Sequence, residues 1–122
     1  MREITTAELF KFYVSTFNHC GEFLLDLSDE VIGTYIFEEF DIDAITFLHH
    51  NTLDKLREAE FIGDEEYSLS QLLREKFRNL EGTPLWNVES VKTAEEWSEI
   101  MQIADRIRTI LTIKKRTEYR EI

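Results

Sequence analysis

The chain has few of the residues that turn or cross-link a fold. Among its 122 residues are four glycines, one proline and one cysteine. So few turn-forming residues favour helices over a many-turned β-sandwich. The single cysteine, Cys20, excludes an internal disulfide and fits a reducing compartment. We therefore expect an all-α protein located in the cytoplasm.

The sequence also lacks the apolar stretches that direct a chain to or across a membrane. The first residues, Met1 to Thr6, have none of the apolar character of a signal peptide. No window approaches the roughly 18 apolar residues that a membrane span requires. With 43% apolar and 32% charged residues, the chain is globular in composition, and its length suits one domain. We expect a single domain over residues 1–122.

Positive charge is scarce and unevenly distributed. The formal net charge is −11, so the surface repels phosphate backbones and anionic lipids, and we expect neither nucleic acid nor membrane as a partner. Residues 12–54, which we call the acidic segment, contain no lysine or arginine. The segment holds nine acidic residues: Glu22, Asp26, Asp29, Glu30, Glu38, Glu39, Asp41, Asp43 and Asp54.

Apolar residues recur at helical spacing along most of the chain, most clearly from Glu65 to Leu80 and behind Trp97. The first helix is predicted from about Ala7 to Cys20. Predicted helix starts are Thr5 with Glu8, Ser28, Asp41 or Asp43, Asn51 or Thr52, and Thr93 with Glu96. Together these patterns predict a single compact bundle of five or six helices.

One stretch, Thr83 to Val88, is predicted to be a loop. It contains the only proline, and its apolar residues include Leu85 and Trp86. Exposing these side chains together would forgo several kcal/mol of burial. We therefore expect the loop to fold back onto the bundle.

Two short patterns resemble metal sites, and each fails on a required residue. Asp41-Ile42-Asp43 resembles the start of a calcium loop, but Ile45 and Thr46 stand where a further oxygen ligand and a glycine are needed. The adjacent pair His49–His50 would point about 100° apart on a helix, so both cannot bind one ion from the same face. We expect no metal and no other cofactor.

Nucleophilic chemistry is also unsupported. His19 and Cys20 are neighbours whose side chains would diverge on a helix, and no positive residue lies nearby to lower the pKa of the thiol. Cys20 is therefore predicted to be a small core residue. Glycine-rich phosphate loops and nucleophile elbows are absent. The six positive residues from Arg106 to Arg120 are predicted to pair with the acidic body of the same molecule. We expect a binding protein and not an enzyme.

The acidic segment combines uncompensated charge with aromatic residues. Self-repulsion within such a segment costs stability, whereas aromatic anchors beside steering charges suit a protein interface. Some acids are accounted for as helix caps, which leaves an excess around Glu38 to Asp43. The predicted partner-binding residues are Tyr35, Phe37, Glu38, Glu39, Phe40, Asp41 and Asp43. The expected partner is a basic protein.

The second half of the chain carries an apolar pattern similar to that of small bacterial immunity proteins, the cognate inhibitors of polymorphic or contact-dependent growth-inhibition toxins. The pattern reads Tyr67-x-Leu69-x-x-Leu72-Leu73-x-x-Lys76-Phe77-x-x-Leu80-Glu81, then Leu85-Trp86-Asn87-Val88-x-x-Val91 and Thr93-x-x-x-Trp97-x-x-Ile100. It covers about Tyr67 to Leu111, consists mostly of core-forming residues and carries no functional residue across.

The resemblance implies a cytoplasmic helical protein that binds one toxin domain tightly. Such toxins are often nucleases with basic substrate clefts, which an acidic partner would complement. Two alternatives stay open at the level of the sequence. One is a structural or adaptor subunit that acts as a helical homodimer. The other is a metal-dependent helical enzyme, in which His49, His50 and nearby carboxylates act in a cleft.

Overall fold

Helices form all the regular structure in the part of the chain that the computed structural model describes, which is residues 3–120 with the side chains of residues 3–114. The α-helices are α1 (Thr6–Thr16), α2 (Asp29–Gly33), α3 (Asp41–Phe47), α4 (His50–Glu58), α5 (Asp64–Leu80), α6 (Val88–Thr93) and α7 (Glu95–Arg120). A 3₁₀ helix (Glu22–Asp26) and a π-helical segment (Thr34–Phe40) complete the series. The predicted all-α fold is confirmed.

Two predicted helix starts are confirmed by their hydrogen bonds. The Glu8 amide donates to Thr5 Oγ1 at 3.1 Å, and the Thr5 amide donates to Glu8 Oε1 at 3.2 Å. Ser28 Oγ accepts from the Val31 amide at 3.4 Å. Each cap satisfies an amide that the first helical turn leaves without a partner. Helix α1 ends at Thr16 and not, as predicted, near Cys20.

Two other predicted starts are wrong. The backbone enters α3 directly from the π-helical segment in a helical conformation, so neither Asp41 nor Asp43 serves as a cap. Helix α4 is capped by His49 and not by Asn51 or Thr52, because His49 Nδ1 accepts from the Asn51 amide at 3.2 Å. An imidazole nitrogen acts here in place of the usual hydroxyl or carboxylate oxygen.

The chain between α5 and α7 differs from the prediction in one respect. Residues Val88–Thr93 form α6, which is capped by Asn87 through a 2.8 Å bond from the Ser90 amide. Thr93 therefore ends α6 and does not start α7; its hydroxyl donates to the Glu89 carbonyl at 2.9 Å. The loop before α6 does fold back, as predicted.

An aromatic cluster holds this loop against the long helices. Trp97 is fully buried, and its indole N–H donates to the Leu85 carbonyl at 2.7 Å. The rings of Phe37, Phe77 and Trp86 lie 5.8, 5.9 and 5.8 Å from that of Trp97. Phe37 also contacts Trp86 at 4.9 Å. The cluster therefore joins the π-helical segment to α5, the loop and α7.

A partly buried arginine on α7 fixes the connection between α1 and the 3₁₀ helix. Arg108 donates to the carbonyls of Phe17 and Cys20, the latter at 2.9 Å, and to Asp105 at 2.6 Å. Asp105 in turn accepts from the Glu22 amide at 3.0 Å. Cys20 is buried as predicted, and burial raises the pKa of its thiol.

Two basic residues of α7, Arg106 and Lys114, pair with acids of α5. Arg106 lies 3.2 Å from Glu65, and Lys114 donates to the buried carboxylate of Glu66. The side chains of residues 115–120 lie outside the described set. None of the helices that the structure describes has the length and apolar character needed to cross a bilayer.

Candidate partner-binding surface

The acidic segment includes one continuous helical run in which α2, the π-helical segment and α3 follow without a break. Its buried residues recur every fourth position: Ile32, Ile36, Phe40, Ala44 and Leu48. In a straight α-helix this spacing would rotate the stripe by about 40° per step. The π-helical turns, closed by i→i+5 bonds, rotate less per residue and offset this drift. The π-helical segment therefore keeps the stripe on the core.

The opposite face of this run is exposed and combines acidic with branched apolar residues. Glu38 and Glu39 are exposed, and Ile42 and Ile45 are 64% and 47% exposed. Glu38, Ile42 and Ile45 follow one another at i, i+4 and i+7, the spacing of neighbours on one helix face. We call Glu38, Glu39, Ile42 and Ile45 the acidic ridge. Exposed charge and exposed aliphatic side chains coincide in the ridge, as they also do around Leu25, Asp26 and Leu27.

Two of the predicted charges have a partner within the chain. His19 Nε2 lies 2.8 Å from Glu39 Oε2, and His19 Nδ1 lies 3.0 Å from Asp43 Oδ2. Only a protonated imidazole can donate to both carboxylates. Because the two carboxylates lie at opposite edges of the ring, they do not converge with it on one ion. Glu38, in contrast, makes no ion pair or side-chain hydrogen bond within residues 3–114.

The three predicted aromatic residues are all at least partly buried. Phe40 is fully buried and packs edge-on against Phe77 at 4.8 Å, so its ring belongs to the core. Phe37 is half-buried against the tryptophans of the aromatic cluster. Tyr35, also half-buried, contacts the His19 ring at 5.3 Å. A direct contact of Tyr35 or Phe37 with a partner stays a prediction.

Asp41 differs from the exposed Glu38 and Glu39 in its surroundings. Its side chain is partly buried near the C-terminal end of α5. Burial, followed by the negative charge of Glu81, raises the pKa of Asp41, and Arg78 opposes the shift. Asp41 therefore interacts electrostatically with α5, although it directly precedes Ile42 in the chain.

The sequence reasoning missed the apolar part of this surface. Ile42 and Ile45 both stand in the calcium-like pattern that fails, and neither was predicted to bind a partner. Both residues fall outside the buried every-fourth-position series, which is the signal that could have identified them. A further exposed ring, Phe12 on α1, is 43% exposed and stacks on Phe47 at 5.4 Å.

Neither a metal site nor a known relative identifies the function of this surface. Within the described residues, no group of three or more histidine, cysteine, aspartate or glutamate side chains is placed to hold a metal ion. No protein-family model, curated protein or solved structure matches the chain. A proposal about function must therefore rest on the chain's own residues.

Proposed function

We propose that this protein is an immunity protein, which neutralises a basic toxin domain by tight protein–protein binding. The observation that carries the proposal is the acidic ridge, where the exposed Glu38 and Glu39 precede two exposed isoleucines. A nuclease domain is the expected class of toxin, because a cleft that binds phosphate backbones is basic. The resemblance of the second half of the chain to immunity proteins points in the same direction.

The apolar part of the ridge supplies affinity. Full burial of an isoleucine side chain contributes about 1.5–3 kcal/mol. Ile42 and Ile45 expose 64% and 47% of their surface, so covering both would contribute roughly 2–3 kcal/mol. That free energy corresponds to a roughly 30- to 150-fold change in Kd. Apolar residues surrounded by charged ones are the usual arrangement of a protein interface.

The charged part of the ridge supplies speed and selectivity. Glu38 has no ion-pair partner among residues 3–114, and Glu39 shares one imidazole with Asp43. A net charge of −11 adds a long-range field of the same sign. Such a field accelerates encounter with a basic partner and weakens as salt screens it.

The same ridge disfavours self-association. A two-fold contact between two ridges would bring Glu38 and Glu39 of each copy close to those of the other, and like charges in contact are destabilising. A helical homodimer, the alternative function, would therefore need a different surface. Sedimentation at several protein concentrations distinguishes a monomer from a dimer.

The proposal predicts that a gene next to this one encodes a large secreted protein with a basic C-terminal domain, and that domain is the partner to test. In binding kinetics against that domain, Glu38→Lys with Glu39→Lys should slow association at least 10-fold and flatten its salt dependence. Replacing Ile42 and Ile45 with serine should instead accelerate dissociation by roughly 30-fold or more. Inhibition of the toxin's activity should fall in parallel.

The matched control carries the same change of charge elsewhere. Glu58→Lys with Glu60→Lys reverses two exposed acids at the C-terminal end of α4. This variant should bind nearly as fast as the parent protein, and thermal unfolding should show all variants folded. If the domain does not bind, or if ridge and control variants lose association rate equally, the proposal fails.

A further inference from the structure

A pocket of about 400 Å³ lies where the turn between α3 and α4 meets α5. Helix α5 contributes most of its lining at positions i, i+3, i+4, i+7 and i+8, which lie on one helix face. The lining residues are Leu48, His50, Gln71, Arg74, Glu75, Arg78 and Asn79. Most of these side chains are polar, and several can donate hydrogen bonds.

The charge of this pocket is opposite to that of the protein. Two guanidinium groups, Arg74 and Arg78, face a single lining carboxylate, Glu75. Neither arginine makes an ion pair within the described residues, although carboxylates outnumber cations in the chain. In contrast, Arg106 and Arg108 on α7 each pair with an acid.

Arg74 carries an unused buried donor. Its Nε atom is shielded from solvent and has no hydrogen-bond partner among the described residues. A buried N–H without an acceptor is unfavourable, and native proteins keep few of them. Arg74 lines the pocket, so a side-chain rotation that admits a ligand oxygen would give this group an acceptor. Guanidinium groups bind carboxylate and phosphate oxygens through paired N–H donors.

The surroundings of Arg74 are also positive. The His49 and His50 rings lie 4.2 Å apart. Desolvation, and then electrostatic interactions with His50 and Arg74, lower the pKa of His49. His50 begins α4, whose positive dipole end lies at this point. Arg78 lies closer to negative charge, because it interacts with Asp41, so Arg74 marks the more positive end of the pocket.

We propose that this pocket binds a small ligand through an oxyanion group, a phosphate or a carboxylate, held by Arg74 and Arg78. Gln71 and Asn79 each supply an amide that can donate to further ligand oxygens. The site does not depend on the acidic ridge or on a toxin. The ligand belongs to one of two chemical classes, phosphate esters or carboxylic acids. Both offer oxygen acceptors to the arginines, but they differ in charge and geometry.

The test follows the arginine Nε–Hε signals of the purified protein by NMR at constant ionic strength. Inorganic phosphate and acetate are titrated separately against a chloride reference. The Arg74 Nε–Hε signal should shift saturably with at least one of the two. A response to phosphate alone assigns a phosphate-bearing ligand, and a response to acetate assigns a carboxylate. No saturable shift with either anion overturns the proposal.

Variants give an independent readout. Arg74→Gln and, separately, Arg78→Gln should each weaken, by about 10-fold or more, binding of the anion that shifts the Arg74 signal. This is the loss expected for a charge-assisted hydrogen bond. The matched control is Arg106→Gln, an exposed arginine on α7 that pairs with Glu65. It removes the same charge and should leave the affinity within about twofold. Equal weakening in all three variants would mean that only net charge matters, and would also overturn the proposal.

Discussion

Replacing Trp97 with phenylalanine tests how the loop and the π-helical segment are held on the bundle. The indole ring is fully buried and donates to the Leu85 carbonyl at 2.7 Å. Phenylalanine keeps an aromatic ring but removes the donor and part of the ring area. We expect a lower free energy of unfolding and a looser loop, because the hydrogen bond spans from α7 to that loop.

The expected loss follows from two contributions. The Leu85 carbonyl also accepts from the Asn87 amide at 2.9 Å, so it keeps one partner, and the lost bond costs about 1 kcal/mol and not the full penalty of an orphaned acceptor. The smaller ring and the space that it leaves cost roughly 1–2 kcal/mol more. Trp97→Phe should therefore lower the free energy of unfolding by about 2–3 kcal/mol.

Urea unfolding followed by circular dichroism measures this loss, and Trp86→Phe is the matched control. Trp86 is half-buried, and its indole N–H has no hydrogen bond among the described residues. Its replacement should cost about 1 kcal/mol or less. Because Phe37 contacts Trp97 at 5.8 Å, hydrogen exchange in the π-helical segment should also accelerate in Trp97→Phe. Equal losses in the two variants would refute the role assigned to the Leu85 hydrogen bond.

Two further variants probe individual charges. Burial raises the pKa of Glu66, but hydrogen bonds from Lys114 and the Gly63 amide outweigh it and leave the pKa below its ordinary value of 4.5. The parent protein should therefore be more stable than Glu66→Gln, by a margin that is complete above pH 4.5 and shrinks below it. Urea unfolding of both proteins across this pH range measures the margin. A margin that grew in acid would contradict the expectation. Glu38→Gln removes an acid that has no described partner, so it should raise the melting temperature slightly at low salt and not in molar salt; an unchanged gain in molar salt would exclude a charge effect.

The parts of the fold that the sequence predicted depend on nearby residues. The Thr5–Glu8 box and the Ser28 cap join groups three residues apart, and α5 follows from one long run of periodic apolar positions. The loop at Leu85 was predictable because its side chains are too apolar to stay in water. Each of these inferences needs only the local pattern and the cost of exposing apolar surface.

The parts that were missed depend on contacts between distant residues or on local features that have no common sequence signature. Nothing near His19 in the sequence indicates that its ring meets Glu39 and Asp43. The cap formed by His49 belongs to an uncommon residue type, so Asn51 looked the better candidate. The π-helical segment has no local signature here, and it decides which apolar residues face the core.

The position of the ridge follows from this last point. With the π-helical turns, every fourth residue from Ile32 to Leu48 stays buried. Ile42 and Ile45 are then left outside, next to Glu38, in a segment that has no lysine or arginine. Apolar surface left in water forgoes the free energy of burial, and repulsion among uncompensated acids costs stability. A basic partner would remove both costs at once, since its apolar surface covers the isoleucines while its cations neutralise the carboxylates.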